Sequence, residues 1–163
     1  MTSLTMTATI STRLRITCTA LALTLSSALI SAPAWAHLGG DVASVQTDTA
    51  VMRAQIRTTP TMQYDVHEIS NNVLVVHEYT TRQGQVFAVT WQGPYMPDLR
   101  QLLGGYFASL QGAASQPRAG SRGAFALSRP DVVFVSTGHM RAFQGLAYIP
   151  ALVPVGVSVQ HLQ

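Results

Sequence analysis

The chain has 163 residues with ten arginines, no lysine and seven acidic residues, which gives a formal net charge of +3. Two of the arginines lie near the N-terminus, so the chain after residue 36 has eight arginines against seven acids and a net charge of +1. Such a balance excludes the basic surface that is typical of nucleic-acid binding or of attachment to anionic lipids.

The first 36 residues have the features of a secretory signal peptide. Arg13 and Arg15 precede an uncharged apolar stretch from Ile16 to Ile30, and Ala34-Trp35-Ala36 ends in the small-x-small pattern that signal peptidase cleaves. The stretch is too short to span a bilayer, so we expect residues 1–36 to be removed and residues 37–163 to be exported as one domain without a membrane span. The only cysteine, Cys18, precedes the cleavage site, so we expect the exported domain to contain no disulfide.

The exported domain is predicted to begin with a helix from residue 42 to about residue 56, with Asp41 as its N-cap. The side chains of one helix face recur every three or four positions: Val42, Val45, Thr49, Met52 and Ile56. Residues 58–62 include Pro60 and are predicted to form a loop.

Three β-rich runs follow and predict a three-stranded meander: Tyr64–Ile69, Val73–Tyr79 and Val86–Trp91. Asn71-Asn72 and Gly84 suit the two tight turns. With two-residue loops, the more apolar face carries Ile69, Leu74, Val76, Phe87, Val89 and Trp91, and we expect this face to be the core. The other face carries Tyr64, Val66, Glu68, Val75, His77, Tyr79 and Thr90. His67 and Glu78 also fall on the apolar face, so they either lie at its edge or the register differs by one residue.

A second helix is predicted to begin at Asp98, where Asp98 and Gln101 have the spacing of a capping box. It continues to about Gln111, and its apolar stripe suits the core face of the sheet: Leu99, Leu102, Leu103, Tyr106, Phe107 and Leu110. Gly104-Gly105 lies in the middle of this helix, where a closely packed partner is one explanation for the glycines. Residues 112–123 are small, polar and glycine-rich, which predicts a flexible loop.

Two further strands are predicted at Asp131–Ser136 and Arg141–Ile149, followed by an irregular or edge segment at Ala151–Val159 that contains Pro154. Because tight turns join antiparallel strands, the element order predicts an α+β fold. We expect an antiparallel sheet, made of a three-stranded meander plus two C-terminal strands, covered on one face by helices.

Several segments resemble a family known only as domain of unknown function 2844. The central block, residues 86–104, carries most of the resemblance, and Leu38-Gly39-Gly40, Gly138–Phe143 and Pro150–Pro154 resemble the two ends of the family. The resemblance implies a small exported single-domain protein and supplies no catalytic residues. The meander after a helix also has a looser likeness to PepSY-type domains, at the level of the fold only.

His37 is the candidate metal ligand. After cleavage its amine and its imidazole could bind one copper(II) ion, which prefers nitrogen ligands in a tetragonal arrangement. His67, His77, His139 or His161 would have to complete such a site, and their spacing matches no local metal motif.

Two further arrangements have catalytic residue types. Asp131, Ser136 and His139 are the types of a hydrolytic triad, but they lie within one short segment, whereas triad members usually come from separate elements. Glu68 and Glu78 could form an acid pair, although solvated carboxylates at a sheet edge are the common alternative.

A ligand or partner surface is predicted from aromatic and polar residues near the ends of the strands: Trp91, Tyr95, Tyr106, His139 and Arg141. The aromatic members are as readily explained as core, and the turn containing His139 and Arg141 could contact an anionic group. We therefore expect an exported, non-enzymatic accessory or binding protein, in the periplasm or released from the cell, whose partner is an envelope protein or a small apolar ligand held between helix and sheet. The alternatives are a copper protein that uses His37 and a small hydrolase that uses the Asp131–His139 segment.

Overall fold

The computed structural model describes residues 37–115 and 124–162. The helices are α1 (Val42–Val51), α2 (Leu99–Leu103) and α3 (Phe107–Ala114). The strands are β1 (Gln55–Pro60), β2 (Tyr64–Ser70), β3 (Val75–Thr81), β4 (Val86–Gly93), β5 (Ala124–Ser128), β6 (Val133–His139) and β7 (Ala142–Tyr148). They form one antiparallel sheet in the order β1-β2-β3-β4-β7-β6-β5, which confirms the α+β class.

The prediction of five strands was wrong, because the sheet has an additional strand at each edge. The first helix ends at Val51 instead of residue 56, and β1 occupies the predicted loop around Pro60. Its threonines favour a strand, and Pro60 is tolerated at a sheet edge because that side needs no ladder donor. At the other edge, β5 pairs with β6. The predicted loop at 112–123 begins later, since α3 extends to Ala114, and residues 116–123 lie outside the described residues.

Both predicted N-caps are present, but the second helix is broken. Asp41 accepts a hydrogen bond from the Ser44 amide, and Asp98 accepts from the amides of Arg100 and Gln101. The break follows α2 at Gly104, whose φ of +51° is unfavourable for any residue with a side chain. A Cβ on Gly104 would also lie 2.4 Å from the His37 ring. This glycine therefore permits the close approach of the N-terminal segment to the helices.

The helices cover one face of the sheet, which we call the helix face. Its buried apolar side chains form the larger core cluster with Leu38, Val45, Leu102, Leu103 and Leu110. Phe87 was predicted on this face but belongs to the opposite cluster. The reason is a shift in the β3–β4 register between Tyr79 and Thr80, a β-bulge that rotates Phe87 to the other side.

The C-terminal tail covers part of the opposite face, which we call the open face. Residues 150–162 run as irregular chain with short 3-10 turns, and Leu162 is 1 % exposed. Their apolar side chains pack with Tyr64, Tyr79 and Phe87 in a second cluster. The predicted tail is thus irregular, but it lies across a sheet face and buries it.

Candidate functional site

Part of the open face is left uncovered beside the tail, across β4, β7 and β6. The strand register forms two cross-strand rows there: Gln92–Gln144–Thr137 and Thr90–Leu146–Val135. His77 of β3 lies opposite Thr90 and extends the second row. The hairpin that joins β6 to β7 closes one end, and Leu162 of the tail closes the other. We call this surface the open-face groove.

Two cavities make up the groove. The larger, about 710 Å³, lies at the hairpin end and is lined by His139, Arg141 and Phe143 among others. The smaller, about 280 Å³, lies between the second row and Leu162. Gln92, Thr137 and Gln144 line both, so the cavities are adjacent. Their volumes are in the range of small-molecule sites.

Amides, hydroxyls and apolar side chains alternate along the groove. The Gln144 amide donates to the Thr137 hydroxyl at 3.3 Å, while Val135 and Leu146 give an apolar floor two residues further along the strands. This arrangement can hydrogen-bond one part of a ligand and bury another.

A second polar cluster is buried on the helix face. Asp48 of α1 and Glu78 of β3 are 0 % and 1 % exposed. The Gln101 amide donates to Asp48 Oδ1. Asp48 Oδ2 and both Glu78 carboxyl oxygens meet no donor group of the described residues. The two carboxyl groups are within hydrogen-bond reach of each other, however, so a proton on one of them can bond to the other. Buried oxygens without a hydrogen bond lower the stability of the folded state, and a proton on the pair would reduce this loss.

Burial and mutual repulsion favour the protonated forms of the pair. Desolvation raises the pKa of Asp48 to about 6, against a lowering by the Gln101 hydrogen bond. Desolvation, and then the charge of Asp48, raises the pKa of Glu78 well above its usual value. His37 has a favourable electrostatic interaction with Asp48, so the N-terminal segment lies near the pair.

His67 is buried beside this pair and is held as a neutral ring. It lies opposite Glu78 in the β2–β3 register. Its Nδ1 and Nε2 atoms each lie 3.0 Å from a threonine hydroxyl, those of Thr58 and Thr80. Burial lowers the pKa of His67, and the charge of Asp65 partly opposes this. His67 and Glu78 are therefore core residues, and their placement at a sheet edge was wrong. The β2–β3 loop has four residues, 71–74, instead of the predicted two, which shifts the strand pairing by two residues and keeps each side chain on its predicted face.

The predicted ligand-surface residues are divided between the two faces. His139 and Arg141 lie in the groove. Pro94 also lines the groove, and Tyr95, the next residue, is 66 % exposed. Trp91 is core, packed on Phe134 and over Gly145, and only borders the smaller cavity. Tyr106 is on the helix side, close to Gly39.

The histidines are spread over the molecule. His67 is buried on the helix face, His77 lies 3.8 Å from Glu68 on the open face, and His139 and His161 are exposed. Within residues 37–115 and 124–162, no three His, Cys, Asp or Glu side chains are grouped so that they could hold a metal ion. Copper binding at His37 stays a prediction.

The other catalytic residue sets are not brought together. Asp131 lies in the bend before β6 and His139 ends that strand, whose extended chain from Val133 to His139 is roughly 20 Å long. Ser136 is buried on the helix face, and its hydroxyl donates to the Gln144 carbonyl at 3.4 Å. Glu68 is a half-exposed neighbour of His77, and the acidic partner of Glu78 is Asp48.

Sequence reasoning missed the main groove residues and the buried acid pair. Gln92 and Gln144 are polar residues of ordinary appearance, and only the β4–β7 pairing shows that they are adjacent. The signal for the pair was the position of Glu78 among core residues, but nothing in the sequence indicated that Asp48 of α1 would face it.

These features define a small α+β protein with helices on one sheet face and a polar and apolar groove on the other. The chain belongs to the family described as Protein of unknown function (DUF2844), which matches residues 34–162, as the resemblance predicted. No curated protein and no solved structure matches the chain. None of the helices in the described residues is long and apolar enough to cross a membrane.

Proposed function

We propose that this protein is an exported, non-enzymatic binding protein of the cell envelope, and that it holds a small ligand in the open-face groove. The observation that carries the proposal is that two adjacent cavities share the lining residues Gln92, Thr137 and Gln144. The signal-like residues 1–36 support export.

The sheet geometry supports binding at this place. The tail buries the Tyr64, Tyr79 and Phe87 part of the open face, and its Leu162 borders the smaller cavity. The adjacent part keeps Val135 40 % exposed, with Leu146 opposite it and Thr137 next to it on the same face. An apolar strip of this kind beside hydrogen-bonding groups is the usual composition of a ligand site.

The test is native mass spectrometry of the protein recovered from the periplasm. We expect a mass that begins at His37 together with a bound small molecule that is released on denaturation. Val135→Trp fills the smaller cavity and should remove that adduct, because Val135 is exposed and a strand tolerates tryptophan.

Val155→Trp is the matched control, since Val155 is 95 % exposed and lies outside both groove cavities. It should keep the adduct. A protein that remains in the cytoplasm with its first 36 residues would overturn the export part. An adduct that is unaffected by Val135→Trp would overturn the assignment to the groove.

A further inference from the structure

The hairpin end of the groove carries positive charge without a matching acid. Arg141 and His139 line the larger cavity, and neither cavity has an Asp or Glu among its lining residues. Among the described residues, no ion pair or hydrogen bond involves the Arg141 guanidinium. Arginine stays charged at all relevant pH values and binds carboxylates through two parallel hydrogen bonds.

Arg141 holds this position at a conformational cost. Met140 and Arg141 form the two-residue loop between paired residues His139 and Ala142, and Arg141 has a φ of +67°. Glycine or asparagine is the usual choice at a turn position with positive φ, and other side chains are strained there. A turn built for stability alone would not need an arginine here.

The groove changes from charged to apolar along the strands. From His139 to Val135 the chain advances four residues, about 13 Å. Arg141 lies at one end, the amides of Gln92 and Gln144 in the middle, and Leu146, Val135 and Leu162 at the other end. A ligand that matches this order has an anionic head and an apolar body.

We propose that the groove binds an amphipathic carboxylate, with the carboxylate on Arg141 and the apolar body between Leu146 and Leu162. This inference rests on the proposed function and names the ligand class of the same site.

The experiment titrates the folded domain with three eight-carbon probes, followed by the amide NMR signals of the groove strands at neutral pH. The probes are octanoate, octan-1-ol and octyltrimethylammonium. We expect octanoate to bind about tenfold or more tightly than octan-1-ol, because a charge-assisted hydrogen bond is stronger than a neutral one. The cationic probe should bind weakest.

Arg141→Asn separates binding from folding, because asparagine suits the positive φ and should leave the unfolding midpoint unchanged or raise it. It should reduce octanoate affinity to that of octan-1-ol. Arg53→Asn is the matched control, since Arg53 is also an exposed arginine with positive φ (+48°) but lies after α1, away from the groove. It should not change octanoate binding.

Each alternative outcome has a definite meaning. If the three probes bind the groove equally, or Arg141→Asn has no effect, the carboxylate inference is overturned while a binding function stands. If no probe shifts the groove signals and the recovered protein carries no adduct, the proposed function fails as well.

Discussion

At the scale of single residues, the buried Asp48–Glu78 pair is the least favourable feature of the core. Two carboxyl groups share one buried site, and three of their oxygens meet no donor of the described residues other than a proton on the pair itself. Because burial raises both pKa values, the folded state favours protonated forms. The pair therefore costs little stability in acid, below the pKa of the unfolded chain. Its cost grows as pH rises through about 6 for Asp48 and further for Glu78.

Glu78→Gln should stabilise the protein at pH 7.5 by roughly 1–3 kcal/mol, the usual cost of an unsatisfied buried polar group. The amide keeps the shape of the side chain, carries no charge and can donate to Asp48. The gain in unfolding free energy should shrink towards pH 4, where Glu78 is protonated in the unfolded parent chain as well. Urea denaturation at a series of pH values measures both effects.

Titration of His67 has the opposite effect on stability, because it lowers the unfolding free energy in acid. The effect of the acid pair is therefore measured as a difference between variants at the same pH. Burial lowers the pKa of His67, and protonation below about pH 6.5 therefore destabilises the fold. This loss is common to the parent and Glu78→Gln, and it cancels in their difference. Glu68→Gln, at a half-exposed carboxylate, is the matched control and should change stability by less than about 1 kcal/mol. A Glu78→Gln protein that is less stable than the parent at pH 7.5 would contradict the account of the pair.

At the scale of elements, Gly104 couples the N-terminal segment to the broken second helix. The Leu38 amide donates to the Leu102 carbonyl at 2.9 Å, and the Gly39 amide donates to the Val86 carbonyl at 2.8 Å. With Leu38 fully buried, the segment forms part of the core. The path of the segment brings the His37 ring against Gly104, so a side chain at position 104 would displace His37.

Gly104→Ala should destabilise the protein by about 2–3 kcal/mol, because the new methyl group combines positive-φ strain with a clash against His37. Gly105→Ala is the control in the next position. A Cβ there meets nothing within 4 Å, and alanine favours the short helical turn, so its stability should be unchanged or slightly higher. Equal unfolding midpoints for the two variants would show that the approach of His37 is not tight.

At the scale of the whole molecule, the sequence predicted the features that follow from hydrophobic periodicity and from helix-capping residues. The Asp41 and Asp98 caps and the α+β class depend on local patterns, and each was confirmed. The predicted three-stranded meander corresponds to β2, β3 and β4, which are part of a sheet of seven strands. The register also placed Glu78 with the core residues. What failed had two causes. The edge strand β1 and the bulge that turns Phe87 lie in hairpins of neighbouring strands, where the residue pattern also suited a loop and a regular pairing. The neighbour of Gln101 depends on a contact between distant segments. Gln101 bonds to Asp48, 53 residues earlier in the chain, instead of reaching back to Asp98.

The groove was beyond prediction for the same reason. It lies where β4 pairs with β7 and where Leu162 of the tail packs on the sheet. Neither fact has a local signature, since Gln92 and Gln144 are 52 positions apart in the sequence. His139 and Arg141 could be selected because they share one turn.

The tail also contributes to the core. Its last described residue, Leu162, belongs to the second core cluster and lines the end of the groove. Leu162→Ala should lower the unfolding free energy by about 2–4 kcal/mol, since it removes a buried side chain and leaves a cavity that the surrounding residues only partly fill. It should also open the apolar end of the groove. Val155→Ala, at a tail position that is 95 % exposed, should change stability by less than about 0.5 kcal/mol. Urea denaturation of both variants measures the difference. If Leu162→Ala were as stable as the parent, the tail would lie on the sheet without contributing to the core, and Leu162 could not form a fixed wall of the ligand site.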